Sequence, residues 1–308
     1  MNTYYPEGWL LDSEDNISAL KSRQSLLEAV SKKQILEARA VLCDAVHNLH
    51  VNLGCMKGII PREEGAVGIK EGTVRDIALI ARVNKPVCFT VQSIEIDGDG
   101  KEYALLSRRK AQELCTSEYI SWLVPGDIID ARVTHLEPFG AFCDIGCGII
   151  SLIPIDMISI SRISHPRDRF SPGDDIKAVV KSIDEDGRIA LSHKELLGTW
   201  AENAAEFEQG QTVSGIIRSV EDYGIFVELA PNLAGLAEPH ENVYAGQQAS
   251  VYIKSLIPEK MKVKLIIVDS FDAAYSHTDL KYYIDSGHID KWVYSPEGCD
   301  RITETVFN

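Results

Sequence analysis

An internal repeat restricts this chain more than any other feature. Gly126-Asp127-Ile128-Ile129-Asp130-Ala131-Arg132-Val133 is followed by Phe139-Gly140-Ala141-Phe142-Cys143-Asp144-Ile145. The block aligns without gaps, 84 residues later, with Gly210 to Val213 and then Tyr223-Gly224-Ile225-Phe226-Val227-Glu228-Leu229. Both copies alternate apolar with polar residues (Ile129, Ala131, Val133; Val213, Gly215, Ile217), the period of a half-buried strand. Further on, Lys181-Ser182-Ile183 matches Lys254-Ser255-Leu256, and Gln92-Ser93-Ile94 belongs to an earlier, more divergent copy. That first copy begins near Leu36, passes through Gly58-Ile59-Ile60-Pro61, and closes at Leu105-Leu106-Ser107-Arg108-Arg109-Lys110. Each copy offers about five short strand candidates divided by turn signals such as Asp97-Gly98-Asp99-Gly100, with no long helical period. Short strands become stable when the sheet closes on itself and leaves no edge, so each copy is expected to be a small closed barrel.

Composition sets the limits of function. At 308 residues the chain is too long for one core, and 45% hydrophobic with 25% charged residues exclude a wholly disordered or fibrous chain. No apolar run reaches the ~20 residues of a membrane-spanning helix, and Met1 to Leu10 carry Glu7 without a basic residue, so a cytoplasmic protein is expected. Seven cysteines form no Cys-x-x-Cys pair, which argues against disulfide and zinc frameworks. Neither a phosphate loop, a His-Glu-x-x-His nor a nucleophile elbow is present, so no enzyme activity, cofactor or metal is expected. A net charge of −15 opposes polyanion binding, so any nucleic-acid site must be local.

Gly126-Asp127, Phe139-Gly140-Ala141-Phe142, Gly148-Ile149-Ile150, His165-Pro166-Arg167, Gly173-Asp174 and Arg188-Ile189-Ala190-Leu191-Ser192 together resemble the S1 domain, an OB-fold RNA-binding module. The chain as a whole is similar to small bacterial S1-like RNA-binding proteins. The resemblance implies a mainly β protein of three tandem five-stranded OB barrels: a degenerate barrel at 36–117, a second at 118–200 and a third at 201–268. A helical N-terminal extension (1–35) and an aromatic-rich C-terminal extension (269–308) packing on barrel three flank them. Residues 13–33 are read as one amphipathic helix capped by Ser13 or Asp12. The tail holds Phe271, Tyr275, Tyr282, Tyr283, Trp292, Tyr294 and Phe307.

Single strands are held by aromatic faces that stack on bases and by cations that follow phosphates. The resemblance places the stacking pair of barrel two at Phe139 and Phe142, a contact that is usually histidine at Pro154, and the polar pair at Asp184 and Arg188. Phe139 and Phe142 are three apart, and Gly140 between them is read as a bend that brings both rings to one surface. Barrel three keeps Tyr223 and Phe226, has Glu238 at the histidine position and offers Lys262, with Lys254 repeating Lys181. Barrel one has His47, His50, Pro61, Glu95 and Tyr103 and is read as a scaffold. Two basic clusters complete the candidate set: Arg108, Arg109 and Lys110, and Arg162 with His165, Arg167 and Arg169, to which Lys194 is added. The implied partner is single-stranded RNA, messenger RNA included, in a setting near the small ribosomal subunit. A protein-interaction scaffold without RNA binding is the alternative.

Overall fold

The computed structural model describes residues 4–272 and 280–308, so Tyr275 of the tail lies outside the described residues. Its core is three closed five-stranded barrels. The first is built from β1 (Ile35–Cys43), β2 (Leu49–Asn52), β3 (Lys57–Ile60), β4 (Pro86–Ile96) and β5 (Glu102–Ser107). The second uses β6 (Ile128–Glu137), β7 (Gly140–Asp144), β8 (Ile150–Pro154), β9 (Asp175–Ile183) and β10 (Ile189–Ser192). The third uses β11 (Thr212–Glu221), β12 (Gly224–Ala230), β13 (Leu233–Ala237), β14 (Gln248–Ile257) and β15 (Lys262–Phe271). All three share one order, in which antiparallel neighbours are closed by a single parallel contact between the third and fifth strands. Alternate residues fill each interior: Ile129, Ala131, Val133, Ala141 and Cys143 in the second barrel, and Ile217, Ile225, Val227, Val251 and Leu265 in the third.

By contacts the chain divides into two compact units, Met1–Leu123 with Asp144–Ile150, and Val124–Cys143 with Ser151–Asn308. In the first, the stretch read as one helix is two, α1 (Glu14–Leu20) and α2 (Arg23–Lys32). Ser13 caps α1 through Asn16 N at 3.3 Å, and the break falls where Ser22 caps α2 through Ser25 N at 3.1 Å. A serine placed to accept orphan amides starts a new helix more readily than it continues an old one. After the four-residue α3 (Ile77–Ile80), the basic run closing barrel one opens an unforeseen helix, α4 (Arg108–Glu118), whose cap Ser107 accepts from Lys110 N at 2.9 Å.

This helix corrects one site assignment. Arg108 points inward, its side chain 3% exposed, and its Nε donates to Glu7 Oε1 at 2.6 Å. Glu7 also accepts from Arg82 Nη1 at 2.9 Å and Cys88 N at 3.1 Å, while Glu7 N donates to Asp144 Oδ2 at 2.8 Å. A guanidinium sealed in such an ion pair cannot reach a phosphate, because withdrawing it would strand a buried carboxylate. Both arginines are thus spent on Glu7, and burial pushes Glu37, which accepts from the Gly8 and Leu10 amides, up to about 7 and, with neighbouring Glu7, Asp144 also to about 7.

In the second unit, α5 (Trp200–Ala204) follows barrel two, and Trp200 joins the core of barrel three. Trp292, Tyr294 and Phe307 of the tail enter that core, all three lying on or directly flanking the small hairpin of β16 (Lys291–Val293) and β17 (Glu304–Val306). The tail also grips barrel two, which departs from packing on barrel three alone. Ile128 N donates to Gly287 O at 3.0 Å, Ile289 N donates to Gly126 O at 2.9 Å, and Tyr282 Oη lies 3.1 Å from His193 Nε2. Barrels two and three are further joined by Asn232, whose Nδ2 donates to Lys194 O at 2.7 Å and Gly198 O at 2.8 Å.

Candidate nucleic-acid interface

The outer face of barrel two is organised by the hairpin between β6 and β7. Phe139 sits in the two-residue turn and is 56% exposed, whereas Phe142 lies half-buried on β7 between the inward residues Ala141 and Cys143. The spacing of three therefore needs no bend within a strand: one ring comes from the turn and one from the strand. Gly140 is required for a different reason. A Cβ there would stand 2.5 Å from Ile153 O and 2.9 Å from Leu152 Cδ1, so only glycine lets β8 cross this closely. Gly224 repeats the geometry, its Cβ position lying 2.6 Å from Ala237 O. The Phe139 and Phe142 rings meet edge to face at 5.9 Å. His135 of β6 stacks beside Phe142 at 6.2 Å and 27° between planes.

Register extends the surface. Leu152 of β8 pairs with Ala190 of β10, and Ile189 and Leu191 point inward, so Ala190 and Arg188 share the outer face with Leu152. Arg188 is 79% exposed along its side chain and stands 3.5 Å from Asp186. Asp184 Oδ1 accepts the amides of Asp186 (3.0 Å) and Arg188 (2.8 Å), which makes it the organiser of the turn that aims Arg188.

Barrel three repeats the row with different chemistry at its end. Phe226 pairs with Leu236 and Leu236 with Lys264. Val263 and Leu265 are buried, so Lys262 and Lys264 both face outward. Tyr223, 68% exposed in its turn, meets Phe226 edge to face at 6.2 Å. Tyr223, Phe226, Leu236, Lys254, Lys262 and Lys264 line a groove of 520 Å³, in which Lys254 Nζ lies 3.2 Å from Glu238.

The corresponding row of barrel one runs from His50 to Ile59 to Leu105. His50 Nε2 is held 3.0 Å from Asp44 and His47 Nδ1 3.5 Å from Asp76, and Tyr103 Oη donates to Glu95 at 2.9 Å. Each ring here is paired with an acid, although the buried Nδ1 of His50 has no hydrogen-bond partner among the described residues. His50 is half-buried rather than an exposed strand residue.

The basic clusters fare unequally. Lys110 is exposed, Arg109 pairs with Glu64 (3.4 Å) and Glu113 (3.2 Å), and Arg108 is removed by burial. Arg162 and Arg167 are exposed on the loop after β8. Arg169 is buried against Glu228 at 2.5 Å, where Arg218 also pairs, and so belongs to the interior of the second unit. Lys194 is half-buried in a short turn whose carbonyl is spent on Asn232.

Two contributors lie outside the expected set. Lys264 is signalled in the sequence by its alternation with Val263 and Leu265, both buried. His135 carries no such signal, because alternation along β6 would turn it inward; the pattern fails after Val133, leaving Thr134 and His135 both exposed.

Residues 124–194 match the family described as the S1 RNA binding domain. That match covers the middle barrel. Over 272 residues the chain is 29% identical to small ribosomal subunit protein bS1 of Staphylococcus aureus (strain COL), covering 83% of this chain and 66% of that protein. It is 31% identical over 234 residues to bS1 of Leuconostoc lactis, covering 70% and 52% respectively. The chain thus spans just under two thirds of the length of the first relative and about half that of the second. Among solved structures, a multidomain protein with nucleic acid binding domains from Streptococcus pneumoniae TIGR4 is 15% identical and covers 79% of this chain and 76% of its own, with a TM-score of 0.25.

Proposed function

We propose that this S1-like protein binds single-stranded RNA, messenger RNA in the first instance, by base stacking and phosphate contacts in a translation setting alongside the small ribosomal subunit. The single observation that carries the reading is the edge-to-face aromatic pair repeated on the outer faces of barrels two and three, each with an outward leucine and a cation, Arg188 or Lys262, at the start of the fifth strand, within an S1 domain and its neighbour. Stacking faces accept any base, so binding has little sequence preference. The protein works by binding rather than by catalysis, in the cytoplasm; among the described residues no helix is long and apolar enough to cross a membrane.

The contact set in this proposal is Phe139, Phe142 and Arg188 with Asp184 ordering the turn, Arg162 and Arg167 on the neighbouring loop, and Tyr223, Phe226, Lys254, Lys262 and Lys264 on barrel three. Barrel one (36–117) is a scaffold, and Arg109 and Lys110 contribute at most long-range charge. Barrels two (118–200) and three (201–268) carry the RNA, and the extensions at 1–35 and 269–308 brace their neighbours. Filter binding of the full chain to single-stranded RNA tests the reading. With three or four phosphate contacts, log affinity falls against log salt with a slope of about −2 to −3, at roughly −0.7 per contact. Absence of binding at low salt removes the proposal.

A further inference from the structure

We infer that His135 is a third base-stacking residue of barrel two, extending the platform from two rings to a row of three; the inference rests on the proposed RNA binding. The ring is 63% exposed, so it is not there to fill the core. It stacks beside Phe142 at 6.2 Å with 27° between planes, and Phe142 in turn meets Phe139 edge to face at 5.9 Å. Its Nε2 lies 2.6 Å from Glu137 Oε1, a contact that fixes the imidazole before any ligand arrives. A ring already held in place loses less side-chain entropy on binding, so more of its stacking energy appears as affinity.

Glu137 also decides what His135 can contact. A carboxylate against the imidazole repels a phosphate at the same place, which leaves the uncharged face of a base as the partner. Glu137 is therefore a positioning residue and His135 the contact. Barrel three has Ser219 at the position 84 residues after His135, so the third ring distinguishes the two barrels. Pro154, where the family places its usual histidine, leaves that side of the surface without a ring, and His135 supplies one from β6 instead.

The experiment is an anisotropy titration of the full chain with a labelled eight-nucleotide oligouridine at pH 7.5 and low salt. His135→Ala is expected to weaken binding roughly tenfold, within the range for loss of one stacked base, with an unchanged salt slope and melting temperature. His135→Phe is expected to bind as the parent does, and His135→Gln, which keeps a polar group for Glu137 but no ring, as weakly as His135→Ala. Parent-like binding by His135→Ala or His135→Gln overturns the assignment, as does a shallower salt slope in His135→Ala, which marks a phosphate contact. Phe139→Ala separates this claim from the one beneath it. If the parent chain does not bind, the proposed function fails; if Phe139→Ala weakens binding and His135→Ala does not, only the assignment of His135 fails.

Discussion

Barrels two and three present the same row in the same register, yet they finish it differently. In barrel two the rings are the stronger part: Phe139, Phe142 and His135 converge, while the cation Arg188 stands in a turn with Asp184, Glu185 and Asp186. In barrel three the cations are the stronger part, with Lys254, Lys262 and Lys264 around one groove and only Tyr223 and Phe226 to stack. Counting family positions ranks barrel two first, because it retains the most. Under the proposed function the geometry divides the labour, with bases stacked mainly on barrel two and the lysines of barrel three adding phosphate contacts to those of Arg162, Arg167 and Arg188. Such a division would let an acidic chain bind RNA, since it gathers exposed cations where a backbone would run.

The largest expected effect tests whether the two barrels are one folding unit. Arg169 and Glu228 tie barrel two to barrel three in a buried pair, with Arg218 on the same carboxylate. Glu228→Ala should cost about 3–5 kcal/mol, the usual result of leaving a buried charge alone, because it strands the buried Arg169 and takes from Arg218 its nearest partner. Calorimetry should show a single transition moving to lower temperature for this unit; a loss confined to one barrel breaks the comparison at its base.

Acid gives the next largest effect, and it has opposite signs in the two units. His193 is buried between Phe170 and Tyr282, and burial lowers its pKa to about 4. The unfolded chain takes up that proton near pH 6.5 and the folded one does not, so the second unit loses stability from about pH 6.5 down to 4. The loss is about 3 kcal/mol at most. Exposed His288, raised by its bond to Asp127, opposes this weakly. In the first unit Glu37 and Asp144 are raised to about 7, so they ionise in the unfolded chain before the folded one. Stability there falls as pH rises from about 4.5 to 7 and is regained on acidification. Hydrogen exchange at pH 7 and pH 5 reads both units at once; parallel changes would contradict the burial that drives them.

A smaller effect separates stacking from charge. Lys262→Ala with Lys264→Ala should make the salt slope shallower by about 1.4, at roughly 0.7 per phosphate lost on a single strand. Phe139→Ala should leave the slope alone and lower affinity by about 1–3 kcal/mol. Equal slopes in the two variants would mean that the barrels do not divide the work.

Much of this architecture is legible in the amino-acid sequence. The barrels follow from period-two alternation, turn residues and repetition, which are local properties that survive in a single chain. Phe139, Phe142, Tyr223 and Phe226 follow from a motif whose glycine has a steric reason that register alone reveals. Pairings set by distant partners are hidden. Arg108 reads as a surface cation until Glu7, far away in sequence, arrives to neutralise it, and Arg169 likewise until Glu228 does. His135 is hidden by an irregularity in β6 that reverses its face. Helix α4 is masked because its first three residues look like the charged end of a strand, although Ser107 is a good cap.

The most direct test is a titration of single-stranded RNA with the full chain and with the Phe139→Ala, Tyr223→Ala double variant, at low salt and with melting temperatures recorded alongside. Both residues are exposed, so the fold should be unaffected. The expected result is that the parent binds and that the double variant loses about 2–6 kcal/mol of affinity, the sum of two stacking contacts, with its melting temperature preserved. Parent-like affinity in the double variant would place the RNA elsewhere and contradict the claim that these two outer faces hold it.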